Sequence, residues 1–174
     1  MTARVRDVPA VRGPGPRTTR ARVLVVCDAA LTDPTENRAG PVVVEALREV
    51  GCQTSCRVVP SAPGVLRREL AEAVAQADVV VTCGGQGVRP GDCVVELTRE
   101  LGLVELPGIG EEIRRRGADA TPAALLSRGL AGVVGGDTVV VNAPSSRGGA
   151  RDVAAVLTAV LPHLLRDLTG AARV

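Results

Sequence analysis

The sequence predicts an α/β fold: a three-layer α/β/α sandwich with a mostly parallel sheet and a late antiparallel hairpin strand. Three observations lead there. Short, continuous apolar runs alternate with segments of helical period, which is the pattern of parallel strands buried on both faces by crossover helices. Polar, glycine-rich or aspartate-bearing loops follow several of those runs. One late pair of runs is separated only by Gly135-Gly136-Asp137, too short for a crossover and suited to a hairpin.

The elements follow in order. Residues 1–20 hold Gly13, Pro14, Gly15, Pro16 and several arginines with little apolar pattern, and are expected to be a disordered basic tail; the domain is expected over 21–170. Arg22-Val-Leu-Val-Val-Cys27 reads as the first strand, followed by a polar loop with Asp28 and Asn37. A helix over 41–50 stops at Gly51, and 53–59 is the second strand. Ser61 is placed to cap a helix over 62–75 with Pro63 in its first turn. The third strand is 79–83, then a glycine loop and a helix over about 92–101. Residues 107–117 read as a loop entering a short helix, 130–134 and 138–141 as the hairpin strands, and 148–168 as a long helix kinked at Pro162.

Composition removes several function classes. Aromatic residues are 0% of the chain, so stacking of bases on aromatic rings is not available. All basic residues are arginine; a phosphate loop that needs its lysine is excluded, as is Schiff-base chemistry. A net charge of +2 does not suggest nucleic acid as a partner. The five cysteines, at 27, 52, 56, 83 and 93, match no zinc spacing. There is no membrane-length apolar run and no visible signal peptide, so a cytoplasmic protein with free thiols is expected.

The sharpest motif is Thr82-Cys-Gly-Gly-Gln-Gly-Val-Arg-Pro-Gly-Asp92. Glycines let backbone N–H groups approach an anion closely, and a helix start adds favourable partial charge. Asp92 is a candidate cap, metal ligand or ligand contact; a plain strand-to-helix turn is the competing reading. Three weaker elements accompany it: Pro107-Gly-Ile-Gly-Glu111, Ser127-Arg128 before the hairpin, and Asn142-Ala-Pro144-Ser-Ser146-Arg-Gly148-Gly149 where a strand meets a helix.

In this order the motifs resemble the molybdopterin-binding MoaB/Mog family of molybdenum-cofactor biosynthesis. Gly84, Gly85, Gly87 and Asp92 match the family's glycine signature. Pro107, Gly108, Gly110 and Glu111 match its proline-glycine-x-gly-glu segment, and Ser127-Arg128 its serine-arginine pair. Asn142, Pro144 and Ser146 match its strand-end turn; Asp28 and Gly40 match the aspartate after the first strand and the glycine opening the first helix. The resemblance implies a site for a pterin phosphate and, in the enzyme branch, transfer of AMP from Mg²⁺-ATP to molybdopterin, with a homotrimer as the assembly. It assigns phosphate to the amides of Gly84, Gly85 and Gly87 with Gln86 beside them, the metal to Asp92, ligand contacts to Asp28, Gly108 and Glu111, and the pterin phosphate or polar edge to Ser127, Arg128, Asn142, Pro144 and Ser146.

The sequence departs from that pattern at polar positions. After the second strand the enzymes carry a proline and then an aspartate that matters for adenylyl transfer; here Pro60 is followed by Ser61, a poor magnesium ligand in that catalytic place. Gln86 stands for the threonine of the glycine loop, Gly91 for an arginine, and Ser145 for the glycine of the last turn. Two readings therefore stay open: a molybdopterin adenylyltransferase with Asp92 and Ser61 in the reacting site, or a catalytically degenerate molybdopterin-binding carrier of the same fold.

Overall fold

The computed structural model describes residues 18–170, and the expected tail at 1–17 lies outside them. Six strands, β1 (Arg20–Val26), β2 (Gln53–Val59), β3 (Val79–Cys83), β4 (Val104–Glu105), β5 (Ala131–Val134) and β6 (Thr138–Ala143), form one sheet. Its order is β2-β1-β3-β6-β5-β4. The first four in that order are mutually parallel; β5 pairs antiparallel with β6, and β4 antiparallel with β5 at the edge. Five helices cover it: α1 (Gly40–Glu49), α2 (Pro63–Gln76), α3 (Val94–Glu100), α4 (Pro107–Ala120) and α5 (Arg147–Leu168). The expected α/β/α sandwich with a late hairpin is what the chain forms.

The apolar runs of β1, β3 and β6 are continuous because each of these strands feeds two cores. Val23, Val25, Val79, Val81, Val139 and Val141 face one way, against α1, α4 and α5. Leu24, Val26, Val80 and Val140 face the other, against α2 and α3. With no aromatic ring to fill space, β-branched valine packs both sides of the central strands, where its stiff χ1 suits a pleated surface. On α5 the buried positions Ala150, Val153, Leu157 and Leu161 recur every three to four residues, and on α2 Leu66, Leu70 and Ala73 do the same. Glu69 of α2, 7% exposed, is matched by the Arg57 guanidinium of β2 at 2.9 Å.

Some boundaries differ from the sequence reading. Residues 107–117 are not a loop: Pro107 begins α4 and the helix runs to Ala120, since proline at the first helical position loses no hydrogen bond. Gly110 and Gly117 are tolerated inside it because each is a contact point. A methyl on Gly110 would stand 3.3 Å from the Gly129 carbonyl, and one on Gly117 would stand 2.7 Å from Ala124. Ser61 is not a helix cap; Ala62 holds that position, with no side-chain bond. Nor does Asp92 cap α3, whose cap is Cys93. The helix α5 continues through Pro162. Arg20, placed in the tail by sequence, opens β1, and β4 was not expected at all.

Candidate functional site

A cavity of about 720 Å³ lies beyond the carboxyl ends of β3 and β6, where open α/β sheets place their ligands. Three segments surround it: the glycine loop with Asp92, the end of α4 with the turn that follows it, and the β6–α5 junction.

The glycine loop owes its shape to positions where only glycine fits. Gly84 has φ +104° and Gly85 φ +65°, a region costly for residues with a Cβ. A methyl at Gly84 would sit 2.5 Å from the Val26 carbonyl oxygen, and one at Gly85 would sit 2.5 Å from Val94 Cγ2. The Gly84 amide donates to Ala143 O at 2.8 Å, which ties the loop to β6. The next three carbonyls are drawn into the protein. Gly85 O accepts from Val94 N at 3.1 Å, Gln86 O accepts from Arg128 N at 3.0 Å, and Gly87 O accepts from Arg128 Nε at 2.6 Å. By contrast, the N–H groups of Gly85, Gln86, Gly87 and Val88 meet no acceptor among the described residues. Consecutive amides of this kind on a cavity wall are an anion-binding arrangement. The short helix α3 contributes little to it, because its first amide is already spent on Gly85 O.

Across the cavity, α5 begins at Ser146, whose hydroxyl accepts from Gly149 N at 3.1 Å. Gly149 packs so closely on Pro144 that a methyl there would lie 2.7 Å from the proline ring. Ser145, Ser146 and Gly148 line the cavity, and a helix of 22 residues directs its positive end there. Asp92 closes the glycine loop by accepting from Arg89 N at 3.0 Å through Oδ2. Its other carboxylate oxygen has no partner among the described residues. Gln86, 5% exposed, donates through Nε2 to Ser127 Oγ at 3.0 Å, so the two residues form one wall.

The expected site residues thus divide. Gly84, Gly85, Gln86, Gly87, Asp92, Ser127, Pro144 and Ser146 are brought together around the cavity. Asp28, Ser61, Gly108, Glu111, Arg128 and Asn142 do not line it. Asn142 is 2% exposed; its Nδ2 donates to Thr82 Oγ1 and Thr98 Oγ1 at 3.0 Å each, and its Oδ1 accepts from Leu130 N at 3.1 Å. Its polar atoms are used inside the fold, not offered to a ligand. Gly108 lies in the first turn of α4 and Glu111 just beyond it, and both are exposed.

Arg128 serves as a brace. Its guanidinium donates to Gly87 O, to Asp92 O at 3.0 Å and to the Glu96 carboxylate, clamping both ends of the loop against α3. That pairing holds the Glu96 carboxyl below its usual range. Arg128→Ala is expected to lower stability by about 2 kcal/mol, the scale of charge-assisted bonds to backbone, measured by urea unfolding, and to broaden the amide NMR signals of the loop.

Asp28 and Ser61 form a second, separate polar pair. The Ser61 hydroxyl and its backbone N–H, the latter at 2.9 Å, both donate to the Asp28 carboxylate. The hydroxyl first and the amide second pull the Asp28 carboxyl below the ordinary aspartate range. A depressed carboxyl contributes stability above its unfolded pKa and loses it as pH falls through the folded value. Ser61→Ala is therefore expected to raise the Asp28 pKa and to move the acid limb of the stability profile to higher pH, as read by carboxyl NMR titration.

The cavity also takes in residues the sequence reading did not single out: Arg89, Arg151 and Asp152, with the stretch from Gly117 to Leu126. Arg151 carried a signal, since it lies one helical turn beyond Arg147 at a helix start. The α4 end carried none. Cys27, Cys83 and Cys93 do not line the cavity; burial pushes the Cys83 thiol strongly upward, and no group of three or more His, Cys, Asp or Glu suited to a metal occurs among the described residues. None of the described helices is long and apolar enough to cross a membrane.

Fold and site together define an α/β domain with a cavity suited to a small anionic ligand at the carboxyl ends of its parallel strands. The family model described as "Probable molybdopterin binding domain" matches residues 22–164, and the chain belongs to this molybdopterin-binding MoaB/Mog family of molybdenum-cofactor biosynthesis. Among relatives, it is 30% identical over 145 residues to the molybdenum cofactor synthesis protein cinnamon of Drosophila melanogaster, covering 81% of this chain and 24% of that one. It is 29% identical over 156 residues to the molybdopterin adenylyltransferase of Pyrococcus furiosus, covering 87% and 92%. The Mog protein structure from Mycobacterium ulcerans superposes with a TM-score of 0.80 at 34% identity, covering 88% of this chain and 99% of that one. The chain spans about a quarter to a half of the length of the first curated relatives it matches.

Proposed function

We propose that this chain binds molybdopterin in the glycine-loop cavity and transfers AMP to it from ATP. The observation that carries the reading is the row of amides at Gly85–Val88, left without acceptors while the carbonyls of Gly85, Gln86 and Gly87 are bonded inward. Four donors fixed in place, with the α5 start across the cavity, suit a phosphate whose charge redistributes during transfer. In that transfer an oxygen of the pterin phosphate attacks the α-phosphorus of ATP. The bond from that phosphorus to the bridging oxygen breaks, and pyrophosphate leaves. Ser127, held by Gln86, and Ser146 are positioned to orient the pterin phosphate.

Asp92 offers one unpartnered carboxylate oxygen at the cavity wall, which fits a Mg²⁺ that arrives on ATP and keeps phosphate oxygens and water as its other ligands. When bound, Mg²⁺ supplies charge neutralisation along the triphosphate. A homotrimer in the cytoplasm belongs to the same proposal.

A specific observation favours the second reading, a carrier without catalysis. Where the enzymes of the family are expected to hold an aspartate, Ser61 is spent on Asp28, outside the cavity. The test is a paired assay of the wild-type chain and Ser61→Asp with molybdopterin, ATP and Mg²⁺, scoring adenylated pterin by chromatography. Product from the wild type is expected. Product from Ser61→Asp alone identifies a binding protein that lacks one carboxylate; pterin bound without product in either identifies a carrier.

A further inference from the structure

We propose that Arg89 and Arg151 form a rim clamp for the pyrophosphate that leaves in adenylyl transfer, an inference that rests on the transferase reading above. Among the described residues, most arginines are matched to acceptors. Arg57 pairs with Glu69, Arg67 with Glu100, Arg115 and Arg116 with Glu112, and Arg128 with Glu96 and two carbonyls. Arg89 and Arg151 are exposed and line the cavity from the glycine loop and from α5, and their guanidiniums have no hydrogen bond or ion pair among the described residues.

Position separates their role from that of the amides. Gly84 and Gln86 are buried and form the inner wall, whereas Val88, Arg89 and Arg151 lie at the solvent edge. The phosphorus being attacked must be shielded from water, and the leaving group must face the exit. The unbonded amides on that inner side, those of Gly85, Gln86 and Gly87, therefore hold the α-phosphate, and the exposed guanidiniums hold the β- and γ-phosphates. Cleavage of the bond between the α-phosphorus and the bridging oxygen leaves the electron pair on that oxygen. The two guanidiniums, always protonated and able to grip phosphate bidentately, stabilise the charge that develops there.

The test titrates the full chain, wild type and the variants Arg89→Gln and Arg151→Gln, with inorganic pyrophosphate, AMP and molybdopterin by calorimetry. Each substitution is expected to weaken pyrophosphate about tenfold, as loss of a charge-assisted pair implies. Affinities for AMP and molybdopterin should change less than about twofold, and the thermal midpoint should hold because neither guanidinium has a partner in the fold. Arg→Lys at either position should recover only part of the pyrophosphate affinity, because lysine is a point charge. Unchanged pyrophosphate binding in both Gln variants overturns the clamp, as does equal weakening of all three ligands, which would reveal a general field effect. A wild-type chain that binds molybdopterin but not pyrophosphate overturns the clamp and leaves pterin binding standing; one that binds neither overturns the reading beneath it as well.

Discussion

Asn142→Ala is expected to lower the unfolding free energy by about 3 kcal/mol, the upper part of the range for a broken buried network. The substitution leaves the Leu130 amide and the Thr82 and Thr98 hydroxyls without their partner in a place water does not reach. Thr98 Oγ1 already donates its proton to Val94 O at 2.8 Å, so toward Asn142 it must accept. Asn142→Asp removes the donor it needs and sets carboxylate against lone pair, and is expected to be at least as damaging as alanine. Urea unfolding with an unchanged slope and a lower midpoint would register both. A loss below about 0.5 kcal/mol in either variant would show that these bonds do not hold β3, β6 and α3 together.

Gly84→Ala should abolish ligand binding and cost about 3 kcal/mol or more. It combines a left-handed backbone, worth roughly 1–2 kcal/mol for a residue with a Cβ, with a methyl driven to 2.5 Å from the Val26 carbonyl oxygen, a backbone atom of the central strand β1. Gly91→Ala is the internal control. Its φ is +94° but nothing lies within 4 Å of an added methyl, so it should show the backbone cost alone. If the two variants lose equal stability, the close approach of the glycine loop to β1 is not what fixes its shape.

Much of the fold was legible because the central strands are apolar on both faces, as in β3, which falls on the expected residues; the mostly exposed edge strand β2 also does, set between Gly51 and Pro60. The misreading at 107–117 has a local cause. Pro-Gly-Ile-Gly carries the composition of a loop; what sequence does not show is that Gly110 packs against the distant Gly129 carbonyl and Gly117 against Ala124 in the turn after the helix. The two-residue strand β4 is too short to produce a period.

The site divides along the same line. The run of glycines that leaves amides without acceptors in the loop is made by neighbouring residues, so a candidate anion site could be read directly. What Asn142 and Arg128 do depends on Thr82, Thr98, Gly87 and Glu96, which reach them through the sheet and α3. A motif marks such residues as important without saying whether they hold the ligand or the loop that holds it. Arg151 reaches the cavity only because α5 packs with its start beside the glycine loop.

The most direct test of the account is a two-dimensional amide NMR titration of the full chain with molybdopterin. The account predicts saturable shifts that are largest at the N–H groups of Gly85, Gln86, Gly87 and Val88, with a second set at Ser145–Gly148, and small shifts near Asp28 and Ser61. No saturable shift, or a response centred on Asp28 and Ser61 with the glycine-loop amides unmoved, would contradict it.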